Sequence, residues 1–345
     1  MQIEILAPAG SVESLTAAVR CGANAVYLGT KNFNARRNAD NFDGNALKSA
    51  VEYCHQRNVK VYLTANTLVA DDEMSGAYNT IKNALEYGVD AFIVQDLGVA
   101  KMIRQCFPSA RLHASTQCSV NTPDGVNALK ELGFSRIVVP REMSLDEIKE
   151  IREKTDVELE MFVHGALCMC VSGQCYMSAM LGGRSGNRGL CAQPCRLSFS
   201  ADNSGSFDLS LKDLSLIDKI KEIESAGIIS LKIEGRMKRP EYVAAAVTAC
   251  KNAVCGNYSA RDEKILKSVF SRSGFTDGYF TGKRQDMFGT RQKEDVVSAK
   301  DVLKELSHLY DNENPLVPID LKFECREGLP AKLTASALGK KVSIL

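Results

Sequence analysis

Short apolar runs recur along the chain in a fixed setting. GANAVYLG (22–29), GVDAFIVQD (88–96), GFSRIVVPR (133–141) and GIISLKIEG (227–235) each begin with a glycine and end at a polar residue or glycine. NVKVYLTAN (58–66) has the same form with Asn in the glycine's place. A glycine or Asn just past a helix supplies the left-handed cap that ends it. An apolar run without alternation is a strand covered on both faces, as parallel strands are. The stretches between the runs read as helices. SLDEIKEIREK opens on a capping box, Ser144 with Glu147. TPDGVNALKEL and RPEYVAAAVTAC place Pro123 and Pro240 where a first helical turn tolerates proline.

The pattern predicts strands at about 3–7, 25–29, 60–65, 91–95, 111–115, 136–139, 158–163 and 229–233. Eight strands, each but the last two joined by one helix, predict a (β/α)8 TIM-like barrel. An open doubly wound sheet is the alternative, because periodicity does not report closure. The seventh connection is long. It carries a cysteine-rich stretch, then RLSFSADNSGSFDLSLKD, which reads as a hairpin, then a helix at SLIDKIKEIESAG. The barrel with its insertion at about 164–200 is expected to span 1–256. Residues 257–298, rich in Gly, Arg and aromatics, read as an extended segment packed on the barrel. Residues 299–345 read as a helix followed by strands with turns at Glu327-Gly328 and Gly339-Lys340, a short α+β extension or the start of a further domain.

Composition narrows the class. The formal charge of +1 leaves no overall basic surface for nucleic acid, though a local patch stays open. The start MQIEILAPAG lacks the basic and apolar regions of a secretion signal. No apolar run approaches a membrane span. The expected setting is the cytoplasm, with no membrane partner, where thiols stay reduced.

Five of the twelve cysteines fall in FVHGALCMCVSGQCYMSAMLGGRSGNRGLCAQPC (162–195). The spacing is Cys168-x6-Cys175-x15-Cys191-x3-Cys195, with Cys170 inside the first gap. Cys170-x4-Cys175 with Cys191-x3-Cys195 would suit tetrahedral zinc, and four thiolates suit an iron–sulfur cluster equally. Spacing does not choose between them.

The block EMFVHGALCMCVSGQCYMS resembles the signature of the U32 peptidase family, the collagenase-like proteases. GGRSGNRGLCAQPCRL, HASTQC (113–118), ILAPAG and KIEGRMK (232–238) are similar to its other blocks, so the likeness runs to about residue 290. Members implicated in RNA modification or quinone synthesis bind a 4Fe–4S cluster through four cysteines. The resemblance implies Cys168, Cys175, Cys191 and Cys195 as those ligands here; Cys170 falls outside the family's pattern. It also implies oxygen-independent hydroxylation of a pyrimidine in tRNA or rRNA, with prephenate as co-substrate. Two other classes stay open: a peptidase, as the family name says, and a non-catalytic cluster subunit paired with a homologous protein.

In such a barrel the chemistry sits at the C-terminal strand ends. Asn66, Gln95, Asp96, His113, Gln117, Arg141, His164, Glu234 and Arg236 fall there, with NARRN (34–38) in the loop after the second strand. His113, Gln117, Arg141, Glu234 and Arg236 are the candidate catalytic residues. Arg36, Arg37, Arg141 and Arg236 are candidates to grip a dicarboxylate donor, since guanidinium groups bind carboxylates bidentately. His164, four residues before Cys168, is a candidate neighbour of the cluster. Arg184, Arg188, Arg196, Lys238 and Arg239 are candidates for a local grip on RNA. Neither HExxH nor GxSxG occurs, so a peptidase finds no motif in these residues.

Overall fold

The computed structural model describes residues 3–200, 206–290, 300–313 and 317–344. Its first unit runs β1 (Glu4–Pro8), α1 (Val12–Cys21), β2 (Ala25–Gly29), α2 (Asn45–His55), β3 (Lys60–Ala65), α3 (Met74–Glu86), β4 (Ala91–Val94), α4 (Leu97–Cys106), β5 (Leu112–Ala114), α5 (Pro123–Glu131), β6 (Phe134–Val138), α6 (Leu145–Lys154) and β7 (Glu158–Gly165). The long seventh connection holds α7 (Met177–Gly182), a short strand β8 (Asp213–Ser215) and α8 (Ile220–Ser225). Then come β9 (Ile228–Ile233), α9 (Pro240–Val254), α10 (Ala260–Val269), β10 (Phe275–Thr276), α11 (Gly278–Thr281) and α12 (Lys300–Ser307).

Strands β1 to β7 pair in parallel in chain order. Strand β9 pairs in parallel with both β7 and β1. The sheet therefore closes on itself as an eight-stranded barrel wrapped by helices, and the open-sheet alternative falls. The repeated entry to each strand has the backbone the pattern predicts: Gly22, Gly88, Gly133, Gly227 and Asn58 all have positive φ. The Ser144–Glu147 capping box forms, and Pro123 and Pro240 occupy first helical turns.

Three expectations need correction. The stretch expected as a hairpin after Arg196 is not one in its described parts. Phe199 and Phe207 are joined by a parallel bridge, and β8 runs antiparallel to β7; residues 201–205 lie outside the described residues. Residues 257–298 are not extended throughout, since they contain α10 and α11. Ser259 caps α10 by a capping box with Asp262, a signal present in the sequence and not used above. The boundary at 299 also moves. Helix α12 packs on α9 and α10, and the chain divides after Tyr310. The second unit, Asp311–Leu345, is a three-stranded antiparallel sheet of β11 (Asp320–Glu324), β12 (Lys332–Ala337) and β13 (Lys340–Ile344). Gly328 and Gly339 turn at positive φ between its strands, as expected. Among the described residues no helix is long and apolar enough to cross a membrane.

The barrel interior mixes a small apolar cluster (Leu6, Tyr27, Tyr62, Ile93 and two alanines) with charge. At the N-terminal end Arg136 binds Glu4 at 2.6 Å and Glu158 at 2.9 Å, and Glu4 also accepts from Tyr62 and Ser230. One layer up, Glu160 is fully buried between Lys232 at 2.6 Å and Arg136 at 3.1 Å. Burial pushes the Glu160 carboxyl up, but Lys232, Arg136 and His113 outweigh it and hold it at about 2. An inward charge in so dry a place is tolerated only when paired and hydrogen-bonded.

Two predictions follow from this packing. Lys232→Met should lose about 3–5 kcal/mol in urea unfolding, because it strands half of a buried ion pair; Lys232→Met with Glu160→Met should recover much of that. A double variant no more stable than the single one would show that the pair is not what the interior depends on. In acid, Glu160 is a group whose pKa falls on folding, so its contribution is present above the ordinary carboxyl range. Stability should drop as pH falls from about 4.5 towards 2, and the Glu160→Met, Lys232→Met protein should show a shallower drop.

Candidate functional site

The C-terminal mouth of the barrel is built around Glu234. Burial alone would raise its carboxyl, yet Arg36, Arg141 and Arg236 together hold it at about 2. Its two oxygens are divided: Oε1 accepts from Arg36 at 3.1 Å and Oε2 from Arg141 at 2.6 Å. Glu234 therefore orients two guanidiniums and has no oxygen left as a free base. Arg141 is further fixed by Phe162, whose ring centroid lies 3.7 Å below it. Arg236 is 4% exposed and donates to Thr64 Oγ1 at 2.8 Å. No ion pair joins Arg236 to a carboxylate among the described residues. Burial lowers its pKa to about 10, the Tyr27 hydroxyl raising it and Arg36 lowering it.

Two glycines make this arrangement possible. A Cβ on Gly29 would sit 2.4 Å from the Arg236 guanidinium and 2.9 Å from Thr64 Oγ1. A Cβ on Gly10, in the ILAPAG block, would fall 1.6 Å from the Arg236 carbonyl oxygen. The NARRN loop is held by its asparagines. Asn34 binds the Thr30 carbonyl and accepts from the Arg36 backbone N–H at 2.7 Å. Asn66 accepts from the Ala35 N–H at 3.1 Å.

Several polar atoms around the mouth are buried with no hydrogen-bond partner: Gln95 Oε1, Gln117 Oε1, Thr116 Oγ1 and Arg141 Nε. Buried polar atoms are normally satisfied. Such atoms, at strand ends that also carry a surplus of cations, can take a polar ligand.

The cysteine insertion lies across this mouth. Gly189 backs onto the Asn34 carbonyl and Arg37, and Gly173 onto the Gln117 carbonyl, each too closely for a side chain. The Leu68 N–H donates to the Asn187 carbonyl at 3.3 Å, and Glu142 accepts from the Ser172 N–H and hydroxyl at 2.7 and 2.9 Å. Arg188 clamps the insertion to Glu73 with two bonds of 2.7 and 2.6 Å. The loops after β2, β3, β5 and β6 thus all hold the insertion.

Four thiols meet there. Burial pushes the Cys195 thiol up, Arg196 pulls it down, and Cys168, Cys191 and Cys175 push it up again, so all four lie within electrostatic reach. Cys170 shares that neighbourhood, within electrostatic reach of Cys175 and Cys168, and its thiol donates to the Gln174 carbonyl at 3.4 Å. Cys191 Sγ accepts from the Gln193 N–H at 3.3 Å and faces the Ser178 hydroxyl at 3.8 Å. The Arg36 pKa is raised first by Glu234, against burial, and then by Cys168. As the side chains stand, no group of three or more His, Cys, Asp and Glu among the described residues closes to metal-holding distance.

Other sequence candidates take different places. His113 lies inside the barrel beside Tyr62, ring centroids 4.8 Å apart, among Arg136, Glu160 and Lys232. Burial and then Arg136 keep it far below its ordinary pKa. It belongs to the interior layer under the mouth, and its Nδ1 has no partner. His164 is fully buried against Tyr242 and Phe275, and burial lowers it to about 3. Asp96 is spent on structure: it caps α4 through the Val99 N–H and holds the Val69 N–H. Arg37 is exposed, outside the buried cluster. Arg196 is bound to the carbonyls of Leu167 and Leu211 and to the Ser210 hydroxyl. With Arg188 tied to Glu73 and the Lys238 ammonium 3.5 Å above the Phe270 ring, the expected five-residue RNA grip does not stand as a set of free cations.

Similarity to known proteins agrees with this architecture. The family model of peptidase family U32 matches residues 10–288. The chain is 36% identical over 313 residues to the 23S rRNA 5-hydroxycytidine C2501 synthase of Escherichia coli, covering 87% of this chain and 46% of that protein. It is 37% identical to tRNA hydroxylation protein P1 of Bacillus subtilis (73% of this chain, 63% of that one). It is 36% identical to a collagenase of Porphyromonas gingivalis (81% and 74%). The chain thus spans about half to two thirds of the first two relatives. The match over most of its length, through the barrel and the cysteine insertion alike, places the chain in peptidase family U32.

Proposed function

We propose that this chain takes part in oxygen-independent hydroxylation of a pyrimidine in tRNA or rRNA, in the cytoplasm, with a 4Fe–4S cluster on Cys168, Cys175, Cys191 and Cys195 and prephenate as the hydroxyl donor. One observation carries the reading: three arginines meet one carboxylate in a buried mouth roofed by four thiols. The surplus of two positive charges suits a dicarboxylate. Arg236, without a carboxylate partner, is the residue for one donor carboxylate, and Arg141 with its unpartnered Nε for the other. Gln95 and Gln117 offer amide groups for the donor's remaining oxygens. Glu234 is the positioning residue, fixing Arg36 and Arg141 before the donor arrives. The thiols suit the cluster because they share one neighbourhood, and Cys191 already accepts a backbone N–H from Gln193. A bound cluster with all four irons held by thiolates would supply electron transfer, with no open metal position for hydrolysis. The roof restricts water at the mouth, and a base must leave its stack to enter.

Peptide cleavage, the activity in the Porphyromonas gingivalis relative's name, has less support. Burial pushes the Cys118 thiol up to about 12, and it bonds the Val94 and Gln95 carbonyls. Neither buried histidine is paired with a nucleophile.

Deleting the gene should remove one hydroxylated pyrimidine from tRNA or rRNA, a loss of one oxygen in nucleoside mass. Arg236→Ala should reproduce that loss with the cluster intact, lowering kcat/KM for the donor roughly a hundredfold, the scale of losing a buried charged partner. Unchanged nucleosides, together with peptide cleavage by protein lacking its cluster cysteines, would make it a peptidase instead. Protein purified without air should be brown, with iron and sulfide in equal amounts. Cys168→Ser, Cys175→Ser, Cys191→Ser and Cys195→Ser should each lose that colour and Cys170→Ser should keep it; a colourless Cys170→Ser beside a brown Cys168→Ser would reverse the ligand assignment.

A further inference from the structure

Arg136, Lys232 and Arg236 are the buried cations among the described residues. Two of them meet carboxylates. Arg136 binds Glu4 and Glu160, and Lys232 binds Glu160. Arg36 and Arg141, in the mouth with Arg236, share Glu234. Arg236 is held differently. Its guanidinium makes one hydrogen bond among the described residues, from Nη1 to the Thr64 hydroxyl oxygen at 2.8 Å.

The surroundings fix that oxygen. Thr64 stands on β3 opposite Gly29 of β2 and is 3% exposed. Its own proton goes to the Leu28 carbonyl at 3.0 Å. A hydroxyl has one proton to give, so towards Arg236 this one can only accept. A β-branched side chain is stiff at its first torsion, which keeps the oxygen in place. Gly29 completes the seat, since a Cβ there would collide with both Arg236 Nη1 and Thr64 Oγ1. A carboxylate in the place of Thr64 would also hold the arginine, but it would cancel the charge. The hydroxyl holds it and leaves the charge whole. With Nη1 on Thr64, the edge formed by Nε and Nη2 is left for two parallel bonds to one carboxylate.

We infer that Thr64 is a positioning residue, a neutral acceptor that aims Arg236 and preserves its charge for one carboxylate of a dicarboxylate ligand. This rests on the dicarboxylate donor proposed above and adds the residue that keeps the site selective for an anion. Thr64 acts through Arg236.

The test is calorimetric binding of prephenate, and of malonate as a minimal dicarboxylate probe, to the anaerobically purified full chain. Thr64→Val should weaken binding about tenfold, the scale of one hydrogen bond to a charged group. Thr64→Ser keeps the oxygen and should recover most of the parent's affinity. Packing alone predicts the reverse, because valine has the shape of threonine and serine does not. Thr64→Asp should weaken binding most, since its carboxylate pairs with Arg236. In an Arg236→Ala background, Thr64→Val should have little further effect, as expected of two residues that act as one unit. Thermal melting checks the fold of each variant; if the valine variant does not fold, serine against aspartate carries the comparison. A Thr64→Asp protein that binds like the parent, or a valine effect undiminished in the Arg236→Ala background, would overturn the role of Thr64. If prephenate binds the parent and every Thr64 variant alike, the donor stands and Thr64 falls. If prephenate does not bind the parent while malonate binds and follows the predicted order, the donor is wrong and Thr64 stands. If neither binds the parent, both fall.

Discussion

A closed barrel leaves no room for solvent behind its wall, so every charge that points inward must meet its opposite there. The protein obeys this through its lower layers. Arg136 and Lys232 are matched by Glu4 and Glu160, with Glu158 half in solvent at the rim. The mouth departs from it. Three arginines face one carboxylate, and Arg236 is as buried as the core with only a hydroxyl to bind. Such a surplus costs stability unless something anionic completes it. The imbalance lies in one layer, at the end of the barrel where ligands of this fold class bind.

The insertion turns that layer into an enclosed site. Its contacts are backbone-close at Gly173 and Gly189, which fixes it to the loops after β5 and β2 more tightly than side chains alone would. Arg188 adds a bidentate clamp to Glu73 after β3. Arg36 is bonded to Glu234 and lies within electrostatic reach of Cys168.

Much of this was legible in the sequence, for physical reasons that differ by feature. The strands were legible because parallel strands buried on both faces have no alternation, and because Gly22, Gly88, Gly133 and Gly227 must take the left-handed backbone that ends the preceding helix. The mouth residues were legible because strand ends fix which positions face it; Glu234, Arg236 and Arg141 did come together. Roles depend on partners. Glu234, a candidate catalytic residue, accepts from two arginines. His113 looked like a mouth residue, but a histidine on β5 level with Arg136 lies one layer deeper. Asp96 could have been assigned from sequence, since an Asp just before a helix more often caps it than catalyses. Arg188 and Arg196 could not, because their partners Glu73 and Leu167 lie across loops whose approach only the tertiary fold sets.

The same logic bears on the family's name. A hydrolase of peptides needs a nucleophile raised in reactivity and a base beside it. Here burial does the reverse at Cys118, driving its thiol towards the inert form, and the two barrel histidines are kept neutral and without such a partner. The strongly polarised groups are arginines and a carboxylate held ionised, which bind and orient anions but do not attack a carbonyl. The thiols gathered in the roof suit a redox group. Barrel and charge surplus together leave the mouth suited to holding an anion rather than to attacking a peptide bond.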